Sequence, residues 1–243
     1  MKVRLFNQDF VWHWWLVLVT LAAFLLLIKL SWWQWQRAGE KAQQLQQIAA
    51  WQQQGAPSWS ELSARTGAEL DGAPLAGTAV WQAPAVWLVD NQISQGKAGY
   101  DVVIPVQLTQ DHNATPVLLL VNLGWVAAPS SRNFLPEVTI PAKFQLQGVL
   151  RTRPAAFRLG DNEENQQRWP MRVQTIDPAS LGRTIGQPLF DGVFYQQISP
   201  FLYHYQPVVL PPEKHRGYAV QWLLLALAVM MVAVAASYQP TES

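Results

Sequence analysis

The chain has 243 residues, half of them apolar and 13 of them Trp, which is enough for one folded domain and two membrane anchors. Its formal net charge of +1 provides no field strong enough to attract nucleic acid. Because the chain contains no Cys, disulfides, thiolate nucleophiles, Cys-based metal sites and c-type haem attachment are excluded.

A first long apolar run occupies residues 10–28 and contains no charged side chain. It reaches the roughly 20 residues that a helix needs to cross the hydrocarbon core of a bilayer. No small-x-small cleavage site follows it and no Arg- and Ser-rich transit peptide precedes it, so it is interpreted as a retained anchor of a bacterial protein. We predict a tail over residues 1–9 and a transmembrane helix over residues 10–32.

A polar, Gln-rich segment without Pro follows over residues 37–54, and its few apolar side chains recur at helical spacing. We predict a stalk helix over residues 33–57 that continues from the membrane and is closed by Gly55-Ala56-Pro57. A short helix over residues 59–66 is predicted behind Ser58, whose hydroxyl is a good helix cap.

From Gly77 onwards the chain consists of short β-rich runs separated by Gly, Pro, Asn and Asp. Residues 101–108 alternate as in a half-buried strand, whereas residues 117–126 are almost continuously apolar, which is typical of a central strand. The predicted strands cover residues 78–82, 85–89, 101–108, 117–126, 144–150, 171–176, 193–198 and 203–208.

One helix is predicted within this β-rich part, over residues 178–185, because Pro178 marks its start and Gly186 its end. The predicted turns lie at Asp90-Asn91, at residues 96–99 and at residues 111–113. The domain over residues 58–213 is therefore predicted to be mainly antiparallel β with minor helices, an α+β fold.

A second long apolar run, again without charge, covers residues 217–237. We predict a second transmembrane helix over residues 214–237 and a tail over residues 238–243. Two spans place both tails on one side of the membrane and the middle domain on the other. The predicted fold class is a membrane protein in which two transmembrane helices flank an extramembrane, mainly antiparallel β domain.

The basic residues that flank these runs do not settle which side the domain occupies. Lys2 and Arg4 precede the first run, whereas Lys and Arg residues near the domain would by a plain count place it in the cytoplasm. The rule holds for short loops, and long domains translocate largely regardless of charge. The orientation therefore stays open on these grounds.

Catalytic motifs are sparse in the sequence. Asp161, Glu163 and Glu164 could serve as an acid and a base, but a Gly- and Asn-rich acidic run of this kind is typical of a solvated loop. The sequence has no GxSxG, HExxH or phosphate-binding glycine loop. These observations favour a protein that acts by binding rather than by catalysis.

His215 stands directly before the second apolar run. If a helix begins near it, Tyr218 and Trp222 follow at i+3 and i+7 and share one face with its imidazole. A neutral imidazole can ligate haem iron, and aromatic walls suit a porphyrin. The alternative is an interfacial histidine between the snorkelling side chains of Lys214 and Arg216.

The other three histidines are weaker candidates for metal ligands. His112 lies in a predicted turn and His204 in a predicted strand, and both are interpreted as ordinary surface or packing residues. His13 and His215 lie at opposite ends of membrane spans, about 30 Å apart, so they cannot share one metal ion within a single molecule.

Two motifs that adjoin the apolar runs resemble those of the Surfeit locus protein one family, the cytochrome c oxidase assembly factors. Trp33-Gln34-Trp35-Gln36-Arg37 with Lys41 resembles the Trp-Gln-x-x-Arg…Lys signature that follows the family's first anchor. His215-x-x-Tyr218-Ala219-x-Gln221-Trp222 resembles the His-x-x-Tyr-Ala-x-x-Trp motif that begins its second anchor.

Two further motifs lie between them in the family's order. Gly99-Tyr100 with Pro105 resembles the central Gly-Tyr…Pro motif. Val121-Asn122-Leu123-Gly124-Trp125 resembles Val-Asn-Arg-Gly-Trp, with Leu123 standing where the family has Arg. For Trp33, Gln34, Arg37, Asn122, Gly124 and Trp125 we expect structural roles rather than direct chemistry, such as a bulge or close backbone approach at a glycine.

The resemblance implies a multi-pass protein of the bacterial inner membrane, with cytoplasmic tails and a periplasmic domain. It implies a non-enzymatic role in delivering haem a to the catalytic subunit of cytochrome c oxidase, or in maturing that subunit with other assembly factors. His215 would ligate the haem iron, Tyr218 and Trp222 would line the site, and Arg216 would meet a propionate. The alternatives are a haem-independent scaffold of the same family and a membrane-tethered periplasmic enzyme.

Overall fold

The structure of the chain, a computed structural model, divides into two compact units. One unit comprises Met1–Leu45 and Val208–Ser243, and the other comprises Gln46–Pro207. The described residues are 2–5, 8–11, 13–57, 59–63, 67–108, 118–131, 133–152 and 168–239. The sequence-based predictions for Ser58, His112, residues 111–113, Asp161, Glu163 and Glu164 fall outside them.

The described residues form four α-helices and eleven strands. The helices are α1 (Trp14–Gln54), α2 (Trp59–Ser63), α3 (Pro178–Ile185) and α4 (Pro212–Ser237), with a 3-10 helix at Gly67–Leu70. The strands are β1 (Lys2–Leu5), β2 (Gln8–Val11), β3 (Gly77–Trp81), β4 (Trp87–Ser94), β5 (Lys97–Leu108), β6 (Leu118–Ala127), β7 (Lys143–Leu146), β8 (Gly148–Arg151), β9 (Met171–Val173), β10 (Leu189–Gln196) and β11 (Tyr238–Gln239).

Two of the helices, α1 and α4, are apolar and long enough to cross a membrane. Helix α1 begins at Trp14, so the prediction of a helix from residue 10 is wrong at its start. Residues 8–11 form β2 instead, because β1 and β11 both supply antiparallel backbone partners to this run. The carbonyl of His13 accepts the first helical hydrogen bond, from the N–H of Val17 at 3.1 Å.

Helix α1 continues without interruption to Gln54, so the segment predicted as a stalk is the second part of one 41-residue helix. The helix ends before Gly55, whose φ of 83° lies in the left-handed region that favours glycine. Helix α4 begins at Pro212 rather than at residue 214, since Pro is favoured in the first helical turn, where its missing N–H would be unpaired anyway.

The second unit is built on an eight-stranded sheet in which six strands follow the order β7-β3-β5-β6-β10-β8. Strand β5 is 12 residues long, and β3 and β4 pair with different parts of it, while β9 pairs with β4. The pairs β6–β10 and β4–β9 are parallel, and the other pairs are antiparallel. The prediction of a mostly antiparallel sheet between two apolar helices is confirmed.

Strands β5 and β6 lie at the centre of the sheet and are buried on both faces, which accounts for the near-continuous apolar run in β6. One face carries a core to which α1 and α2 contribute Trp51 and Leu62. The other face carries a smaller core to which α3 contributes Leu181. Full burial of one large apolar side chain stabilises by about 1.5–3 kcal/mol, so this central pair of strands contributes much of the unit's stability.

Helix α3 occupies Pro178–Ile185, which confirms the prediction made from its terminal residues. The side chain of Asp177 caps its start by accepting a hydrogen bond from the N–H of Ala179 at 3.2 Å. Gly186 closes it with a φ of 65°. Each of these signals comes from a residue within the helix or directly next to it.

The predicted turn at Asp90-Asn91 is wrong, because these residues lie inside β4. The pairing with β5 shifts register between Val89 and Gln92, and Asn91 has a φ of 59°, so the feature is a β-bulge. The chain reverses instead at Gln95-Gly96, where φ is 51° and 75°.

Two other strand predictions need correction. Residues 144–150 form two strands rather than one, since the N–H of Gln147 turns aside to the side chain of Gln196, at 3.1 Å. Residues 203–208 form no strand. They belong to the exit segment, residues 199–207, which leads from β10 towards α4 and is held largely by side chains, as described below.

Candidate functional site

The two long helices contact each other through small residues. Ser31 of α1 donates its hydroxyl to the carbonyl of Ala219 in α4 at 2.8 Å. Ala38, Ala219 and Ala226 are buried, and small side chains of this kind let helix backbones approach closely. In α4 the buried residues Pro212, Ala219 and Ala226 recur every seven positions, which is typical of helices that pack side by side.

His215 also lies on the buried side of α4 and is only 9% exposed. Its Nδ1 atom lies 2.7 Å from Oε1 of Gln34 in α1, 181 residues earlier in the chain. An amide oxygen only accepts hydrogen bonds, so with the Gln34 amide in this orientation the donor is Nδ1. In a neutral ring of this tautomer the lone pair is on Nε2. The first and last sequence motifs therefore meet at one hydrogen bond.

The other residues predicted for this site differ in their exposure on α4. Trp222 is half-buried, whereas Tyr218 is 42% exposed. Seven residues turn a helix by about 700°, about 20° short of two full turns, and three turn it by about 300°, about 60° short of one turn. Trp222 therefore follows the direction of His215 closely, and Tyr218 lies at the exposed margin of the same side. Arg216 is exposed.

The remaining residues of the first motif face away from His215. The guanidinium of Arg37 lies 5.7 Å from the ring centre of Trp33 and forms an ion pair with Glu40 at 2.8 Å. Trp33 is 46% exposed, and both charged side chains are about half exposed. These contacts support the surface of α1, and Gln34 alone in this motif reaches the imidazole.

The two central motifs meet at a buried carboxylate, Asp101 of β5. Asn122 of β6 donates from Nδ2 to one Asp101 oxygen at 2.8 Å, and its own Oδ1 accepts from the N–H of Gly124 at 2.9 Å. The Nε2 atom of His204, in the exit segment, lies 2.6 Å from the other Asp101 oxygen. A buried carboxylate needs such partners, and here each oxygen has one.

This contact changes the acid–base behaviour of His204. The hydrogen bond to Asp101 raises the pKa of the imidazole, burial opposes that rise, and the negative charge of the carboxylate adds to it. His204 was expected to be an ordinary surface or packing residue, and Asp101 was not singled out. A charged residue inside an otherwise apolar strand was the signal that could have identified the pair.

Gly124 lets the exit segment approach β6. Its φ is 119°, and a Cβ at this position would lie 2.7 Å from the carbonyl oxygen of Leu202. The backbones of Trp125 and Leu202 exchange two hydrogen bonds, of 2.8 and 3.0 Å. The structure thus contains the close backbone approach that was expected at this glycine.

Gly99, Tyr100 and Pro105 have structural positions within β5. A side chain at Gly99 would collide with the indole of Trp125, which donates to the carbonyl of Gln92 at 3.1 Å. Tyr100 is 1% exposed in the larger core. Pro105 lies between the parts of β5 that pair with β4 and with β3, where its missing N–H breaks no strand pair.

Leu123, which stands at the family's Arg position, is 2% exposed and belongs to the larger apolar core. Its carbonyl accepts a hydrogen bond from the hydroxyl of Ser199 in the exit segment. The side chain at this position therefore serves packing in this chain. It does not contribute to the polar group around Asp101.

A second polar group holds the end of the exit segment. Arg151 of β8 forms a largely buried ion pair with Asp71 at 2.7 Å, and it also donates to the hydroxyl of Tyr205 and to the carbonyl of Pro207. The ring of Tyr205 stacks on Tyr195 with centres 3.9 Å apart. Burial raises the pKa of Tyr205 to about 12 although Arg151 lowers it, so the hydroxyl stays protonated at neutral pH.

Within the described ranges, no three His, Cys, Asp or Glu side chains are close enough together to hold a metal ion. The donor chemistry at His215 nevertheless fits haem. A neutral imidazole with a proton held on Nδ1 and a lone pair on Nε2 is the form of histidine that ligates haem iron.

Similarity to known proteins identifies the family of this chain. The model of the SURF1 family matches residues 21–227, a range that includes all four motifs described above. A search among curated proteins found no match. The SURF1 family is membrane-associated, is connected with cytochrome oxidase assembly and is not a known class of enzyme. Because the match covers most of its length, the chain belongs to the SURF1 family.

Proposed function

We propose that this protein spans the bacterial inner membrane twice, with its β-rich domain in the periplasm. There it would assist assembly of cytochrome c oxidase by binding haem a, the catalytic subunit, or both, together with other assembly factors. Haem a is the cargo in this proposal. Family membership supports the general role, and the residues below support the membrane and haem assignments.

The surface of α1 supports insertion in a lipid bilayer. Large apolar side chains on it are exposed, among them Leu25 and Leu26, at 57% each. Exposed tryptophans lie near both ends of this apolar stretch, at Trp15 and at Trp32. Trp32 is 17 helical steps after Trp15, which corresponds to about 26 Å of helix, close to the ~30 Å thickness of a hydrocarbon core.

The observation that carries the haem proposal is the fixed imidazole of His215. Gln34 holds Nδ1, which leaves Nε2 with the lone pair that an iron ligand requires. Trp222 would supply an aromatic surface on the same face, and the exposed Arg216, one residue away, would bind a propionate. When bound, haem a would supply the iron that accepts this lone pair.

A second candidate is a scaffold that supports the oxidase subunit without binding haem. The burial of His215 favours it, because a buried histidine that joins two helices stabilises their packing whether or not it ligates anything. In that case the protein would act through its surfaces, and the imidazole would be a structural part of the helix pair.

Pigment content separates the two candidates. The full-length protein is purified in detergent from a host that produces haem a, and its haem is extracted and identified. We expect wild type to carry haem a and His215→Ala to lose it with helix content unchanged. His13→Ala is the control, since His13 is exposed and lies just before the start of α1, away from Gln34. Equal haem in His215→Ala and wild type would contradict the ligand assignment, and oxidase maturation supported by that variant would favour the scaffold.

A further inference from the structure

We infer that Gln34 is the positioning residue of this site: it selects the tautomer of His215 and fixes the ring, so that Nε2 is the one atom offered to an electron-pair acceptor. The inference rests on the proposed function only for the identity of that acceptor, haem iron. The tautomer itself is a property of the haem-free protein and can be measured without any ligand.

The first support is the way two hydrogen bonds fix the two helices against each other. Ser31 bonds to Ala219 and Gln34 bonds to His215, so the later residue of α1 meets the earlier residue of α4. The helices are therefore antiparallel, and the two bonds are about one turn apart on each. Two such bonds define both the register and the rotation of α4, and with them the direction of the imidazole.

The second support is a contrast within the same chain. His204 presents Nε2 to the carboxylate of Asp101, whereas His215 presents Nδ1 to the amide oxygen of Gln34. Both partners only accept hydrogen bonds, so the two neutral rings must carry their protons on different nitrogens. An uncharged acceptor fixes the orientation of the His215 ring without placing a negative charge beside it, which suits a ligand that must be offered and then released.

The decisive measurement is nitrogen NMR of the full-length, haem-free protein in detergent with 15N-labelled histidine, recorded over a pH series and evaluated where the spectra themselves show neutral rings. The His215 signals are identified by their loss in His215→Gln. We expect His215 to be protonated at Nδ1 and His204 at Nε2. In Gln34→Leu, His215 should shift towards protonation at Nε2 or towards a mixture, while Gln34→Glu, which keeps an acceptor oxygen, should retain the Nδ1 proton. Gln36→Leu, at an exposed position nearby on α1, should change nothing.

Haem titration gives the functional consequence. Loss of a partner that orients a metal-binding histidine typically costs 10–100-fold in affinity, so Gln34→Leu should bind haem about 10–100-fold more weakly and Gln34→Glu should recover most of it. If wild-type protein binds no haem, the haem-binding part of the proposed function fails, while the NMR result still decides whether Gln34 selects the tautomer. A His215 ring protonated at Nε2 in wild type, or an unchanged tautomer in a folded Gln34→Leu protein, would overturn the inference.

Discussion

His204 and Asp101 are joined by a 2.6 Å contact although 103 residues separate them in the chain. Asp101 is buried in the strand that carries the Gly-Tyr…Pro motif, and His204 is in the exit segment just before α4. The contact therefore links the centre of the sheet to the segment that leads into the second apolar helix. The strength of this contact depends on whether the His204 ring is protonated.

The first prediction concerns the pH dependence of this contact. The pKa of His204 is raised in the folded protein, so protonation favours the folded state. The resulting stabilisation is complete below about pH 6.5, the ordinary pKa of histidine, and is lost as pH rises through the folded value. Amide hydrogen exchange in residues 199–207 of the full chain should become faster across that range, after correction for intrinsic exchange.

The control for this prediction is Asp101→Asn, which removes the charge that favours the protonated ring. The corrected exchange rates of this variant should show much less change with pH than those of wild type. An identical pH profile in the two proteins would show that another group controls the exit segment.

The second prediction tests the backbone at Gly124. Gly124→Ala should destabilise the protein by about 1–3 kcal/mol from backbone strain alone, and by more because the methyl group meets the carbonyl of Leu202. Gly96→Ala is the matched control, since Gly96 also has a positive φ but no neighbour within 4 Å of an added Cβ. Chemical unfolding followed by Trp fluorescence would measure both. Equal losses would mean that the contact with Leu202 contributes nothing.

The third prediction concerns the ion pair between Asp71 and Arg151. Its side chains are only 12% and 11% exposed, so Asp71→Asn removes the negative charge that faces a nearly buried guanidinium. We expect a loss of about 3–5 kcal/mol in the free energy of unfolding. Glu40→Gln, which breaks the exposed pair with Arg37, should cost less than about 1 kcal/mol. Similar losses for the two variants would contradict the role assigned to burial.

The fourth prediction concerns topology. Alkaline phosphatase fused after Gly160 should be active, because this enzyme folds only in the periplasm, and the same enzyme fused at the C-terminus should be inactive. A fluorescent reporter that functions only in the cytoplasm should give the opposite pattern. Fluorescence with the fusion at Gly160 would place the domain in the cytoplasm, as a plain count of basic residues would have it.

Features that depend on neighbouring residues in the chain were predictable from sequence, whereas features that depend on distant residues were not. The ends of α3 were predictable because Pro178 and Gly186 act on their own helix. The bulge at Asn91 was not, because it depends on where β4 pairs with β5. Residues 203–208 have strand-like composition, but the partners of His204 and Tyr205 lie on distant strands and hold the segment by its side chains.

The candidate site likewise combines local features that were predictable with long-range contacts that were not. The spacing within α4 was enough to predict that Trp222 follows the direction of His215, whereas the exposure of Tyr218 depends on how α4 is rotated against its neighbour, which the spacing does not give. The hydrogen-bond partner of His215 could not be predicted from sequence, because Gln34 lies on another helix 181 residues earlier. Motif resemblance identified both residues but gave no indication that they touch.

The attachments of the exit segment set an order for folding. Its long-range hydrogen bonds join residues 54 to 103 positions apart, on β5, β6 and β8. Loop closure over such distances costs chain entropy, so we expect these bonds to form after the local hairpins. Attachment of this segment is thus expected to be slower than formation of the hairpin strands that receive it.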